Sequence, residues 1–121
     1  MKLYEMFKGN DLNIAELIQQ RRLQMMVHSY IYYELDKNLV SDFQWAKWAK
    51  ELEQLQLDYP LIAQQVIYAD DFKNWDGSSG AYLHYNDDHI ISVAKRLLGE
   101  PIPQEVQKQA PKKNPQQMQL F

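Results

Sequence analysis

Three short constellations carry residue types that can do chemistry. His84, Asp87, Asp88 and His89 bring imidazoles and carboxylates within six residues, and these are donor types that ligate a divalent metal. The spacing is poor for that task, because His89 falls at no i+4 interval from another histidine and His84 precedes the point where a helix would be capped. We read them as capping acids and surface histidines, with no metal. Asp76-Gly77-Ser78-Ser79-Gly80 has the small residues that let backbone amides cradle a phosphate at a helix start. No helix begins directly after Gly80, since Ala81 to Tyr85 intervenes, so a plain turn is expected. Arg21-Arg22 is too short for a DNA footprint and reads as a solvated helix face. No serine has a plausible His–Asp pair to activate it. With no cysteine in the chain, disulfides, thiolate metal sites and cysteine nucleophiles all drop out.

Any site must therefore be positioned by the elements around it, and composition sets their limits. A chain of 121 residues with net charge −3 has room for one domain. Its mildly acidic balance argues against strong direct nucleic-acid binding or an anionic membrane surface, because neutralising phosphates needs a basic face. The first ten residues carry Lys2, Glu5 and Lys8, which leaves no signal-peptide core. No apolar run approaches the roughly 20 residues that span a bilayer, and a cytoplasmic location is expected. Residues 101–121 hold four of the five prolines and six glutamines. They cannot bury enough apolar surface to offset their ordering entropy. The expected organisation is a helical domain over 1–100, with net charge −5, and a Pro/Gln-rich tail over 101–121, with net charge +2.

The domain reads as all-α. Asn13-Ile14-Ala15-Glu16 has the form of a capping box, after which Ile14, Leu17, Ile18, Met25, Tyr32 and Leu35 recur at helical spacing to about Asp36. Ser41-Asp42-Phe43-Gln44 is a second box, followed by a stripe of Trp45, Trp48, Ala49, Leu52 and Leu55. Pro60 interrupts that stripe and suits the first turn of a short third helix over 61–69. Residues 74–85 are rich in turn formers. Asn86 or Asp87 caps a last helix whose Ile90, Val93, Ala94 and Leu97 share a face, and Gly99 stops it. The short link between the first two helices implies an antiparallel hairpin over about 11–58, with the helix of 87–98 packed on it. The expected core is Leu17, Ile18, Tyr32, Trp45, Trp48, Leu52, Ile90, Val93 and Leu97.

The motif order His28-Ser29-Tyr30-Ile31-Tyr32-Tyr33-Glu34-Leu35-Asp36, then Ser41-Asp42, then Glu51 to Leu55 and Asp58-Tyr59-Pro60, resembles bacterial NAD-dependent DNA ligases. The similar part is their small N-terminal domain, domain Ia, a helical hairpin that grips the nicotinamide mononucleotide half of NAD, and it covers about residues 14–60. The resemblance implies that Tyr32, Tyr33 and Asp42 stand where the family contacts that mononucleotide. Trp45 replaces a ligand tyrosine, keeping the ring and losing the hydroxyl. Ala46 replaces an aspartate, so one carboxylate of the family's site is gone. The cofactor implied is thus NAD or nicotinamide mononucleotide at best, with NAD binding weaker than about 1 mM, or about −4 kcal/mol. Ligation itself is not expected, because ligases need a further nucleotidyltransferase domain with the lysine of a K-x-D-G motif. The nearest string, Lys73-Asn74-Trp75-Asp76-Gly77, has one residue too many.

The C-terminal Gln117-Met118-Gln119-Leu120-Phe121 resembles the Q-x-x-L-F peptides by which bacterial proteins bind the replicative sliding clamp. Leu120 and Phe121 would be adjacent anchors for an apolar pocket, with Gln117 bonding at its mouth. Three readings follow. The first is a non-catalytic accessory or interaction protein of DNA replication or repair, of the small kind found in phages or prophages, tethered to the clamp by its tail and using its ligase-like hairpin for protein contact. The second is a binding module for NAD or nicotinamide mononucleotide using Tyr32, Tyr33, Asp42 and Trp45. The third is a helical scaffold or regulator unrelated to ligation.

Overall fold

Helix-forming, apolar-rich sequence runs unbroken from Leu12 to Leu35. The computed structural model, which describes residues 2–99, turns it into the longest of six helices. These are α1 (Leu3–Met6), α2 (Gly9–Leu35), α3 (Asp42–Asp58), α4 (Pro60–Ala63), α5 (Ala69–Phe72) and α6 (Asp88–Leu98). No strand occurs among the described residues, and the fold is all-α as the periodicity predicts. Helix α2 is the centre, with α1, α3, α4 and α6 all packed on it. Helix α3 returns antiparallel to α2, which places Arg21 on Glu51 at one level and His28 beside Trp48 at another.

The end signals explain the register. Ser41 Oγ accepts a hydrogen bond from the Gln44 amide at 3.0 Å, so the second capping box forms as read. Asp87 Oδ1 accepts from the amides of His89 and Ile90 at 2.8 and 3.3 Å, and Gly99 closes α6 with φ of 74°. Helix α2 ends when Asp36 enters the left-handed region and the Lys37 amide reaches back to the Ile31 carbonyl, a turn that short polar residues tolerate. Ser41→Ala should lower stability by about 1 kcal/mol, read as a reduced urea midpoint at unchanged slope.

Covered on all sides, α2 buries eight consecutive residues, Gln24 to Ile31. The core joins these to Ala15, Ile18, Ala49, Leu52, Phe72, Trp75, Ile90 and Ala94. Burying Ile18, Leu52 or Ile90 should each stabilise by roughly 1.5–3 kcal/mol. Trp45, Trp48, Val93 and Leu97 pack on this core half-buried, and Leu17 is half-buried outside it.

Four expectations need correction. Helix α2 starts at Gly9, so Asn13-Ile14-Ala15-Glu16 lies inside it and caps nothing. There α1 packs back on α2, and Phe7, Leu12 and Ala15 join the core; burial outweighs the local cap. Helix α4 stops at Ala63, and residues 64–68 are turns. The reason is Arg22, which is 1% exposed rather than solvated. Its guanidinium donates to the carbonyls of Ala63, Val66 and Ile67 at 2.8, 2.9 and 3.1 Å. Those are acceptors that a continuing helix would use for its own amides. Burial pushes Arg22 down to about 10, which leaves it charged at neutral pH. Its neighbour Arg21 pairs with Glu51 at 2.9 Å. Finally, Tyr32 is 52% exposed, because it lies just past the covered stretch of α2.

Candidate functional site

A hairpin brings the end of its first helix to the start of its second. Here Tyr32 and Tyr33 leave the last turns of α2, and Asp42 and Trp45 open α3. All four line one cavity of about 270 Å³. His28 and Ser29 line it one turn earlier on α2, and Ala46 follows Trp45 on α3. A further side comes from outside the hairpin, where Gly77, Ser78 and Ser79 complete the lining.

Local packing orients these groups. The Tyr33 ring lies parallel to Tyr85, 5° between planes at 6.2 Å, and edge-on to Tyr32 at 4.9 Å. The Tyr33 hydroxyl is 3.2 Å from Ser79 Oγ. Trp45 meets Trp75 edge-on at 6.1 Å. Trp75 is buried, donates from Nε1 to the Ala49 carbonyl at 2.9 Å, and packs on Phe72 at 5.0 Å. The segment around Gly77 is thereby pinned to α3, and Lys50 Nζ adds a bond to the Asp76 carbonyl at 3.0 Å. The Asp76-to-Gly80 stretch is the expected turn. Asp76 Oδ1 accepts from the Ser78 hydroxyl and amide at 2.6 and 2.9 Å, and these bonds hold the Asp76 carboxyl below its usual range.

What gathers at the cavity is the rings of Tyr32, Tyr33 and Trp45 with the His28 imidazole, the Asp42 carboxylate, the Lys37 ammonium, and the exposed or half-exposed hydroxyls of Ser78 and Ser79. Asn38, Leu39 and Val40 of the interhelix link complete the rim. Faces of Tyr and Trp attract flat rings and cations; Asp42 favours positive charge or a hydroxyl donor, and Lys37 on the rim favours an acidic group. Beside them Ala46 presents only a methyl group. Sequence reasoning assigned four of the lining residues to the site and missed others, among them His28, Ser29, Lys37, Ser78 and Ser79. The Gly-Ser-Ser-Gly string was visible, but its place beside Tyr33 depends on how Trp75 anchors the chain. The string Lys73 to Gly77 serves that anchorage.

The other constellations lie elsewhere. His84 Nδ1 is 2.7 Å from Asp71 Oδ1, with the histidine side chain 90% exposed. Among the described residues no three His, Cys, Asp or Glu side chains are placed to hold a metal. Asp87 instead caps α6 and accepts a bond from the Tyr68 hydroxyl at 3.4 Å. Burial first, and then the charges of Asp87 and Asp71, push Tyr68 up to about 12 from its ordinary 10.0. A raised folded-state value means the folded protein holds this proton more tightly than the unfolded chain. The resulting stability is intact below pH 10 and is lost as pH rises from about 10 to 12. Tyr68→Phe should flatten that part of the alkaline decline, measured as urea midpoints at pH 9 and 11.

Gln117, Leu120 and Phe121, the residues proposed to meet the sliding clamp, lie outside the described residues. No helix of the described part is long and apolar enough to cross a membrane. Compared with known proteins, the chain matches no family model, no curated protein and no solved structure.

Proposed function

We propose that this chain is a non-catalytic accessory module of DNA replication or repair, whose hairpin recognises the nicotinamide mononucleotide half of NAD as does the ligase domain it resembles. One observation carries the reading: Tyr32, Tyr33, Asp42 and Trp45, chosen by motif position, line a single cavity. Oxidised nicotinamide is a flat cation, and aromatic faces beside a carboxylate suit it. Trp45 and Ala46 withhold polar contacts worth roughly 1.5–3 kcal/mol each to a charged ligand, which keeps the affinity in the millimolar range. Titration with nicotinamide mononucleotide should shift amide resonances of residues 28–46 and 77–79, with Asp42→Ala weakening the effect severalfold. Absent or scattered shifts would sink the nucleotide role of the hairpin and leave it as a protein-contact scaffold or regulator.

The C-terminal sequence supports a second contact, with the bacterial sliding clamp. Buried apolar anchors dominate small interfaces, so Leu120 and Phe121 should supply most of the affinity. A labelled peptide of residues 111–121 should bind clamp nearly as well as the full chain, read by fluorescence anisotropy. Replacing Leu120 and Phe121 by alanine should remove binding at an unchanged melting temperature. A fall of several degrees on truncation at Ala110 would show instead that the tail stabilises its own domain.

A further inference from the structure

The segment 76–80 lies outside the stretch that resembles ligases, yet its Gly77, Ser78 and Ser79 form one side of the cavity. Two contacts hold them there. Gly80 sits so close to α2 that a Cβ built on it would fall 2.0 Å from Ser29 Oγ and 3.0 Å from Ser29 Cβ. The Ser29 hydroxyl could turn aside, but its Cβ is fixed by the backbone of the covered part of α2, where Ser29 is 1% exposed, so the segment itself would have to move. The Ser29 hydroxyl meets no hydrogen-bond partner among the described residues, so the close seat of Gly80 is kept at the expense of a buried polar group. The second contact is the Ser79 hydroxyl on Tyr33, the cavity tyrosine that also stacks on Tyr85.

We infer that Ser79 and Gly80 are positioning residues of this site. Gly80 seats the segment as a wall, and Ser79 fixes the Tyr33 ring, so residues of this same domain close the hairpin's cavity around a ligand of nucleoside size. The inference rests on the nicotinamide reading given above and adds a size limit to it. A cavity of about 270 Å³ is just below the roughly 300–1,000 Å³ of drug-sized ligand sites. The aromatic ring and its ribose fill it, and a phosphate or a second nucleotide stays outside.

The test is an NMR titration of the full chain with nicotinamide riboside, nicotinamide mononucleotide and NAD. The three should bind within about threefold of one another, since only the shared part is enclosed. Ser79→Ala should weaken all three by about three- to fivefold, the value of one modest hydrogen bond. Ser79→Thr, which keeps the hydroxyl, should restore binding, and the melting temperature should stay constant across both variants. Gly80→Ala should weaken binding by about tenfold or more, because the wall must lift to admit the Cβ. If that variant does not fold, Ser79→Ala decides alone. A second readout needs no ligand: cross-peaks between the Tyr33 and Tyr85 rings should persist in the parent and in Ser79→Thr and weaken in Ser79→Ala. NAD binding more than tenfold tighter than the mononucleotide would overturn the size limit. Unchanged binding and unchanged ring contacts in Ser79→Ala would overturn the positioning role. Should no nicotinamide compound bind while the ring contacts still depend on Ser79, the positioning role stands and the nicotinamide reading falls.

Discussion

Arg22→Leu should cost about 3–5 kcal/mol, because removing a buried charged donor strands its acceptors away from water. Those acceptors are the carbonyls of Ala63, Val66 and Ile67 and the side-chain oxygen of Gln56, which takes two bonds from Arg22 at 2.8 and 3.0 Å. For a domain of this size each kcal/mol moves the melting temperature by roughly 4–8 °C, so a fall of at least about 12 °C is expected. Arg22→Lys should recover little. A single ammonium cannot reproduce the planar fork that reaches three carbonyls and an amide at once. Thermal unfolding followed by circular dichroism checks both, and a leucine variant melting with the parent would show that the carbonyls find water.

Trp75→Ala should cost about 3–5 kcal/mol, the usual range for emptying a large aromatic site, and should abolish ligand binding as well. The indole fills the space between Phe72 and Trp45 and bonds to the Ala49 carbonyl. Beside it, Gly77 packs so close to α3 that a Cβ there would sit 3.3 Å from the Ala49 oxygen. With the indole gone, nothing of comparable size ties residues 73–80 to α3, and the serine wall is lost. Trp75→Phe separates the two effects. It keeps much of the packing, loses the N–H for about 1 kcal/mol, and should still bind ligand within a fewfold of the parent. Near-ultraviolet circular dichroism and the nicotinamide titration read the two consequences side by side. Binding that survives Trp75→Ala would detach the segment from the site.

Much of the architecture was legible because it rests on local chemistry. Ser41 and Asp87 each cap a helix through their own side chains, Gly99 supplies the left-handed residue that ends α6, and Pro60 separates α3 from α4; none needs a distant partner. The misreadings share one cause, which is long-range contact. Asn13 looks like a cap until α1 packs over that turn. Residues 61–69 look helical until Arg22, some 40 positions earlier, takes their carbonyls. Arginine on an otherwise polar face gives no sign that it will be enclosed, since arginine is rarely buried without partners and its partners here are backbone atoms. At the cavity, the hairpin residues could be named because a hairpin fixes which helix ends meet. The serines could not, since the path of residues 74–85 depends on where Trp75 finds a slot.

The stretch of α2 buried on every side, Gln24 to Ile31, bears on whether the hairpin could fold apart from the rest of the chain. An excised piece of about 14–60 would carry α2 with only α3 to cover it, and would bare the flank that α6 and residues 72–85 now shield. Met25, Met26, Val27, Tyr30 and Ile31 belong to a helix apolar around much of its circumference, and such a helix is stable in water only inside a jacket. The hairpin is therefore not a self-sufficient cassette. Transplanted alone it should aggregate or recruit a surrogate for its missing jacket, which here α1 and the residues after Pro60 supply.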